Sequence, residues 1–361
     1  FGSRPSRAVL RPAPASPPVD SMCDADQFKF RCEHYEEHSG MYKEFILTVF
    51  SKRTGGPLEL SLFDVKGGRV YLKRGVYDQD GPIRLQDLHV NGSVTICARK
   101  LKVLEYADST TRDLFEAQCD QVHSLIGSAA MPELGLLLTA ACDNGFAIKR
   151  VKTLGRPHAG RFVALELVGP DAVRGWQEVV QQCVGADAAA VVSAEPVSLE
   201  TERLYEGKDT TATHSECALC IIRPHAVREG HAGAVIDALQ SAGLEISAMQ
   251  SYSLLKSQAE NFYEVYKTVI PSAQYHAAVG ELASGLCIAI EVRAAEDAVP
   301  RLRELCGPYD VEIARHLRPN TIRARLGRDS VHNAVHCTDL PEDGPLESQY
   351  FFSILPGVGT N

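Results

Sequence analysis

No apolar run in this sequence is long enough to cross a bilayer; the longest, residues 135–142, is far short of the ~20 residues a spanning helix needs. A membrane is therefore not an expected partner. An excess of positive charge is also missing: Lys and Arg number 37 against 46 Asp and Glu, a net charge of −9. That disfavours nucleic acid as a partner, because such binders draw their affinity largely from neutralising phosphates. A small basic pocket for a nucleotide remains compatible with it. There is no cysteine framework either. Eleven cysteines, an odd number, are scattered from Cys23 to Cys337. The one CxxC pair, Cys217 and Cys220, has no second pair or histidines at zinc-binding spacing, and its setting, Cys-Ala-Leu-Cys-Ile-Ile, reads as a buried strand. No metal site is expected from it, and free thiols point to a reducing, cytoplasmic compartment. The chain opens at Phe1 without an initiator methionine or a signal-peptide pattern, so its native start is expected upstream.

What is present is globular. Hydrophobic residues at 45% and charged residues at 23% support a sizeable core, and 361 residues predict two or three domains. Residues 1–23 form a Pro/Arg-rich arm with Arg4, Arg7 and Arg11, too poor in apolar side chains to fold alone. Residues 24–112 read as short strands. The run 42–50 is apolar and β-branched, 58–63 alternates with period two, and Gly55-Gly56-Pro57 and Gly67-Gly68 mark turns. Val94, Ile96, Leu101, Val103 and Leu104 are expected in one longer strand. This is a small antiparallel β domain without an acid–base or metal constellation, for which a binding module is the default reading.

From residue 113 the pattern becomes α/β and repeats. Strand, helix, glycine and strand recur around Asn144-Gly145-Phe146 and Ala242-Gly243-Leu244, with Gly145 and Gly243 at the helix ends where positive φ is wanted. Phe162-Val163-Ala164-Leu165-Glu166-Leu167 answers Cys287-Ile288-Ala289-Ile290-Glu291-Val292, and both lead into Asp-Ala-Val and an amphipathic helix. The copies are offset by 98 residues at the glycines and by 126 at Asp171 and Asp297, so the first lacks 28 residues that the second has. Those residues read as two helices, with Ser257-x-x-Glu260 as a capping box opening the first. The expected divisions are 113–195 for a truncated copy, 196–215 for a linker and 216–355 for a complete copy. The stretch 315–352 has no clear counterpart in the first copy.

Asn333-Ala334-Val335-His336, followed by Thr338, is the richest chemical stretch. A nucleophilic imidazole needs one nitrogen free and the other held by an acceptor, and Glu347 is a candidate holder. Nearby arginines could neutralise a transferring phosphoryl group, since that chemistry is mostly positioning and charge stabilisation. By spacing alone, a solvated loop histidine is the commoner outcome.

Ile222-Arg223-Pro224-His225-Ala226-Val227, Phe262-Tyr263-Glu264-Val265-Tyr266-Lys267, Arg318-Pro319-Asn320-Thr321-Ile322-Arg323 and Asn333-Ala334-Val335-His336 occur in the order of the nucleoside diphosphate kinase family. Over residues 216–352 the chain resembles that family. The resemblance implies a ferredoxin-like α/β sandwich and ping-pong transfer of an ATP γ-phosphate to nucleoside diphosphates through a phosphohistidine, with Mg²⁺ carried by the nucleotide. It implies His336 as nucleophile and Glu347 as the carboxylate that orients it, with Thr338 the hydroxyl alongside. It implies Asn333 at the ribose and phosphate, Arg303 and Arg323 at the phosphates, and Tyr263 beside the histidine. Arg223 stands where the family has a phosphate-approaching lysine, and Tyr309 where it has a threonine. Arginine keeps the charge but is a wide planar fork, and Tyr309 adds bulk near the phosphates. The family's base-stacking Arg-Pro-Phe-Phe stretch is unrecognisable at 269–275, so weakened phosphotransfer is expected. In the first copy Gly127 replaces the lysine and no Asn-x-x-His follows Trp176, which makes 113–195 a packing domain with at most one kinase site in the chain.

Gly92-x-Val94-x-Ile96-x-x-Arg99-x-Leu101, then Leu104-Glu105-Tyr106-Ala107-Asp108, resembles the DM-ten domain of ciliary axoneme proteins over about residues 28–112. That implies a small pleckstrin-homology-like antiparallel fold. The whole layout is α+β: a DM-ten domain, then two ferredoxin-like kinase units with the first truncated. It resembles the type-seven, DM-ten-containing class of the kinase family. The class implies a structural role on the luminal side of ciliary doublet microtubules, with tubulin and other inner proteins as partners, and a working kinase with ATP and nucleoside diphosphate as the alternative. Because free kinases of the family assemble through dimers, the two copies are expected to pair within the one chain.

Overall fold

The computed structural model describes residues 25–357, apart from 37–40, 53–55, 78, 80–82, 84, 86, 87, 89, 91, 92, 118, 157–159, 186–188 and 208. The Pro/Arg-rich arm and Gly92, the first residue of the stretch likened to a DM-ten domain, lie outside the described residues. The first unit is a six-stranded antiparallel sheet built from β1 (Ala25–Glu36), β2 (Met41–Lys52), β3 (Glu59–Asp64), β4 (Arg69–Gly75), β5 (Ser93–Ile96) and β6 (Arg99–Tyr106). Its order is β4-β3-β2-β1-β6-β5. Alternate residues supply one buried face: Phe28, Phe30 and Cys32 on β1, Phe45, Leu47 and Val49 on β2, Leu101 and Val103 on β6. Helix α1 (Ser109–Ala117) closes one end with Phe115, edge-on to Phe28 and Phe30 at 5.5 and 5.4 Å.

The stretch read as one longer strand is instead the hairpin β5–β6, paired from Ser93↔Lys102 to Ile96↔Arg99. Its two-residue turn is Cys97-Ala98, with φ of 51° and 58°. Two positive φ values match the twist of the flanking strands, but neither residue is the glycine or asparagine that marks such a turn in a sequence.

The rest of the described chain forms one eight-stranded sheet. The first copy contributes β7 (Cys119–Ile126), α2 (Leu134–Asp143), β8 (Ala147–Arg156), β9 (Gly160–Pro170), α3 (Ala172–Cys183) and β10 (Glu195–Pro196). After α4 (Leu199–Arg203), the second contributes β11 (Cys217–Ile222), α5 (Pro224–Arg228), α6 (Ala232–Ser241), β12 (Glu245–Ser253), α7 (Lys256–Phe262), α8 (Ser272–Leu282) and β13 (Leu286–Arg293). It ends with α9 (Ala298–Cys306), α10 (Val311–Leu317), α11 (Ile322–Leu326), β14 (Val335–Cys337) and α12 (Asp343–Gln349). The order β10-β7-β9-β8-β12-β13-β11-β14 reads the same way from either end by copy. Gly145 and Gly243 take φ of 88° and 70° after α2 and α6, and Asp171 and Asp297 take 44° and 53° before α3 and α9. Helices α7 and α8 fill the 28-residue difference. The first of them starts at Lys256, with the Leu255 N–H donating to Gln258 Oε1 at 2.8 Å, so Ser257 lies inside the helix and does not cap it.

The copies meet about a local two-fold. Lys152 of β8 pairs with Gln250 of β12, residues separated by the same offset as Gly145 and Gly243. On either side the Val151 N–H donates to Ser251 Oγ at 3.0 Å and the Met249 N–H to Thr153 Oγ1 at 2.9 Å. Helices α2 and α6 cross at Gly135 and Gly233. A Cβ on Gly135 would lie 2.7 Å from the Asp237 nitrogen, and one on Gly233 would lie 2.3 Å from the Gly135 carbonyl oxygen, so only glycine permits this approach. The segment 196–215, read as a linker, is pinned along both copies. Lys152 Nζ donates to the Gly207 carbonyl at 3.0 Å, Thr211 Oγ1 donates to the Ser247 carbonyl at 2.6 Å, and the Thr213 N–H donates to Glu291 Oε1 at 2.7 Å.

Candidate active site

Strand β14 pairs with β11, placing His336 opposite Ile221 and Val335 opposite Ile222. The His336 ring is 5% exposed, with Phe262 edge-on at 5.1 Å and the Tyr263 ring at 6.0 Å. Its Nε2 lies 3.2 Å from Glu347 Oε1 on α12. A carboxylate only accepts, so Nε2 carries the proton and Nδ1 holds the lone pair. Among the described residues Nδ1 makes no hydrogen bond. Thr338 Oγ1 donates to the other Glu347 oxygen at 2.6 Å and accepts from the Leu219 N–H at 2.8 Å. Hydroxyl, carboxylate and imidazole are thus linked in series and fix the ring.

His336 faces a cavity of about 840 Å³. Arg223, Tyr263, Arg303 and Arg323 line it with His336, whereas Asn333, Thr338 and Glu347 stand behind its wall. Arg223, only 2% exposed, precedes Pro224 at the start of α5; its Nη1 donates to the Val331 carbonyl at 2.9 Å, and its Nε is buried without a partner. The Tyr263 hydroxyl is also buried and unpartnered, and burial pushes it up to about 12. Both atoms lie beneath the cavity surface, without a partner there. Arg303 is paired with Asp339, which also accepts from the Tyr266 hydroxyl at 2.7 Å. Arg323 is more committed: Nη1 donates to the Gly307 carbonyl at 2.8 Å, Nη2 and Nε to the Val335 carbonyl at 3.2 and 3.3 Å, and its guanidinium lies 5.8 Å from the Tyr309 ring. It braces β14 from the wall of the cavity. Asn333 Nδ2 donates to the Tyr309 carbonyl at 3.2 Å, and its Oδ1 is buried and unpaired. Tyr309 lines the cavity together with Arg318.

One pair at the site was not assigned a role from sequence. His225 of α5 is buried; its Nδ1 lies 2.7 Å from Glu281 Oε1, and its Nε2 accepts from the Ala334 N–H at 3.1 Å. Ala334 has φ of 69°, a left-handed conformation costly for alanine, two residues before His336. His225 therefore holds the bend that aims β14. Burial pushes the Glu281 carboxyl up, but His225 and Arg223 outweigh it and the group titrates below its ordinary value. The histidine inside Ile222-Arg223-Pro224-His225 was the only signal.

The first copy repeats this framework without its chemistry. The Gly127 N–H donates to the Val191 carbonyl at 2.9 Å, as the Arg223 N–H does to Ala334. Ile126 bridges Val192 as Ile222 pairs with Val335, so residues 191–196 are a short counterpart of β14 that the sequence did not reveal. Ser193 falls in the place of His336, its N–H donating to the Leu125 carbonyl at 3.0 Å while its Oγ accepts from the Leu125 N–H at 2.8 Å. A Cβ at Gly127 would lie 3.0 Å from Val191 Cβ. Tyr205, just after α4, sits against the buried His123 at 6.0 Å, on the strand whose counterpart in the second copy packs under α7 and α8. Among the described residues no cluster of three or more His, Cys, Asp or Glu is placed to hold a metal, and Cys32, Cys97, Cys142, Cys183 and the five cysteines from Cys217 to Cys337 are free thiols.

The nucleoside diphosphate kinase family profile matches residues 216–355, where the ferredoxin-like unit with His336 lies. Nucleoside diphosphate kinase homolog 7 of Rattus norvegicus is 33% identical, covering 94% of this chain and 96% of its own length. A nucleoside diphosphate kinase of Aquifex aeolicus is 35% identical over 39% of this chain and 96% of its own. A crystal structure of the Aquifex aeolicus enzyme is 34% identical, covering 39% of this chain and 97% of that one, with a TM-score of 0.37. With a single relative matched from the β-rich front to the second kinase copy, the chain belongs to the nucleoside diphosphate kinase homolog 7 family.

Proposed function

We propose that this chain is a structural component of the ciliary axoneme, bound to the luminal side of doublet microtubules, that keeps one nucleotide pocket in its second copy. The observation that carries the reading is the asymmetry between the copies. Both keep the strand framework and the two-fold contact, but only one keeps a nucleophile, so the fold is retained for its surface more broadly than for its chemistry. The β-rich front fits a DM-ten domain over about residues 28–112, and residues 113–195 and 216–355 fit the truncated and complete kinase units. Three joined units can hold tubulin and neighbouring inner proteins by avidity without one strong site. Retention of a tagged chain with doublets after detergent and salt extraction of isolated axonemes tests this. Release with the soluble matrix would contradict it.

In the pocket, a nucleoside triphosphate with its Mg²⁺ as substrate would lie with its phosphates among Arg223, Arg303 and Arg323. Nδ1 of His336 attacks the γ-phosphorus; the Nδ1–P bond forms as the bond to the bridging oxygen breaks, and the nucleoside diphosphate leaves. Glu347 stabilises the charge that develops on the ring, while the Nε2 proton stays in place. A second diphosphate takes the phosphoryl group in the reverse sense. Arg223 in place of a point-charge ammonium and the Tyr309 ring make this transfer slow. Full kinase turnover as the main role is favoured by one observation, the unengaged Nδ1 of His336. A turnover rate in the wild type that Arg223→Lys fails to raise would favour it over the scaffold reading.

A further inference from the structure

The front sheet reaches the second copy through a partly buried ionic cluster. Glu33 on β1, 6% exposed, receives Arg328 at 2.9 Å, and Arg328 Nε lies 2.9 Å from Glu229 Oε1 at the end of α5. Lys102 of β6 donates to the Glu229 carbonyl, and His231 lies 3.4 Å from the Glu229 carboxylate. The Tyr42 ring of β2 lies 5.5 Å from the Arg328 guanidinium. Glu33 and Arg328 are 295 residues apart in the chain.

Arg328 opens the loop that leads into the pocket. Its N–H donates to the His332 carbonyl at 2.7 Å, and Asp329 Oδ1 accepts from the N–H groups of Val331 and His332, each at 2.7 Å. The His332 ring is edge-on to His225 at 5.1 Å. From this loop the Val331 carbonyl receives Arg223 Nη1, and Asn333 follows two residues later. The loop is thus held on one side by the front sheet and on the other touches the side chain that stands in for the phosphate-binding lysine.

We propose that Glu33 is a positioning residue for the nucleotide pocket: by fixing Arg328 it fixes the 328–334 loop, and through the Val331 carbonyl it sets the direction of Arg223. The front domain is therefore a part of the site in cis. This rests on the nucleotide-pocket reading. Removing the Glu33 carboxylate takes from Arg328 its tie to the front sheet and leaves it Glu229 alone, so the loop should loosen even where the fold survives.

The test uses the full-length chain, with Glu33→Gln to keep the shape and Glu33→Ala to remove it. Hydrogen exchange of amides 328–334 is measured without nucleotide, and ADP·Mg affinity by calorimetry, each in the wild type and in an Arg223→Ala background. Faster exchange confined to 328–334, with ADP bound about fivefold or more weakly, is the expected result. The affinity loss should vanish in the Arg223→Ala background, a dependence that general destabilisation would not show. Unchanged exchange in both variants would overturn the proposal, as would an affinity loss of the same size without Arg223. If the wild type binds no ADP, the pocket reading falls, and exchange at 328–334 alone then decides whether Glu33 fixes the loop.

Discussion

Ser193 and His336 occupy the same place in equivalent segments, Ser193 opposite Leu125 on β7 and His336 opposite Ile221 on β11. The hydroxyl is spent on the Leu125 N–H, where the imidazole is spent on Glu347 and keeps Nδ1 for the cavity. One chain should therefore take up at most one phosphoryl group. Intact-mass measurement after incubation with ATP and Mg²⁺ should give a single adduct, unaltered by Ser193→Ala. Ser193→His should add no second adduct, because among the described residues no hydroxyl–carboxylate relay like Thr338 and Glu347 meets that position.

Glu347→Gln keeps the shape of the relay and removes its charge. The rate of His336 labelling should fall about 100-fold or more, with ADP affinity almost unchanged, because Glu347 is behind the cavity wall. Thr338→Ala should instead act mainly on stability. It strands the buried Leu219 N–H and one Glu347 oxygen, at about 1–3 kcal/mol in urea unfolding.

Gly135→Val or Gly233→Val should separate the copies at the α2–α6 crossing, costing about 1–3 kcal/mol or more through overpacking. Gly280 lies inside α8 with open space around its Cβ position. Gly280→Ala should therefore stabilise by about 0.5–1 kcal/mol. Urea midpoints of the three variants check both signs at once.

These glycines show what a sequence can and cannot disclose. Gly145 and Gly243 need positive φ at matched places, and that need, with the recurrent Asp-Ala-Val at Asp171 and Asp297, exposed the repeat; the positive φ of the two aspartates themselves was not legible. The strand and helix order of the second copy was legible in its local pattern, whereas Arg223, Arg303 and Arg323 came only with the resemblance to the kinase family, Arg303 lying outside the four motifs that carry it. Ser193 was hidden because the first copy reaches its β14 counterpart by a much shorter path from α3, with no motif surviving. The Cys97-Ala98 turn was hidden because its φ values are imposed by the sheet, not by residue type. Glu33 with Arg328 was hidden for a different reason: an ion pair between remote segments leaves no periodic trace in either.

Acid sensitivity should centre on Glu291. Burial pushes its carboxyl up, but the hydroxyls of Ser247 and Ser348 and the N–H groups of Thr213 and His214 outweigh that, and it titrates below its ordinary 4.5. A lowered folded value means its stabilisation is complete above 4.5 and disappears as pH falls through that lower value. Urea unfolding from pH 6 downward should show stability falling with acid below about 4.5, and Glu291→Gln should be less stable at pH 6 with a shallower acid slope.

The most direct test of the account is incubation of the purified chain with radiolabelled ATP and Mg²⁺, followed by scoring of acid-labile, alkali-stable label. The account predicts slow labelling of the wild type, none in His336→Ala, an unchanged level in Ser193→Ala and faster labelling in Arg223→Lys. Label that survives His336→Ala, or no label in the wild type or in Arg223→Lys, would contradict it.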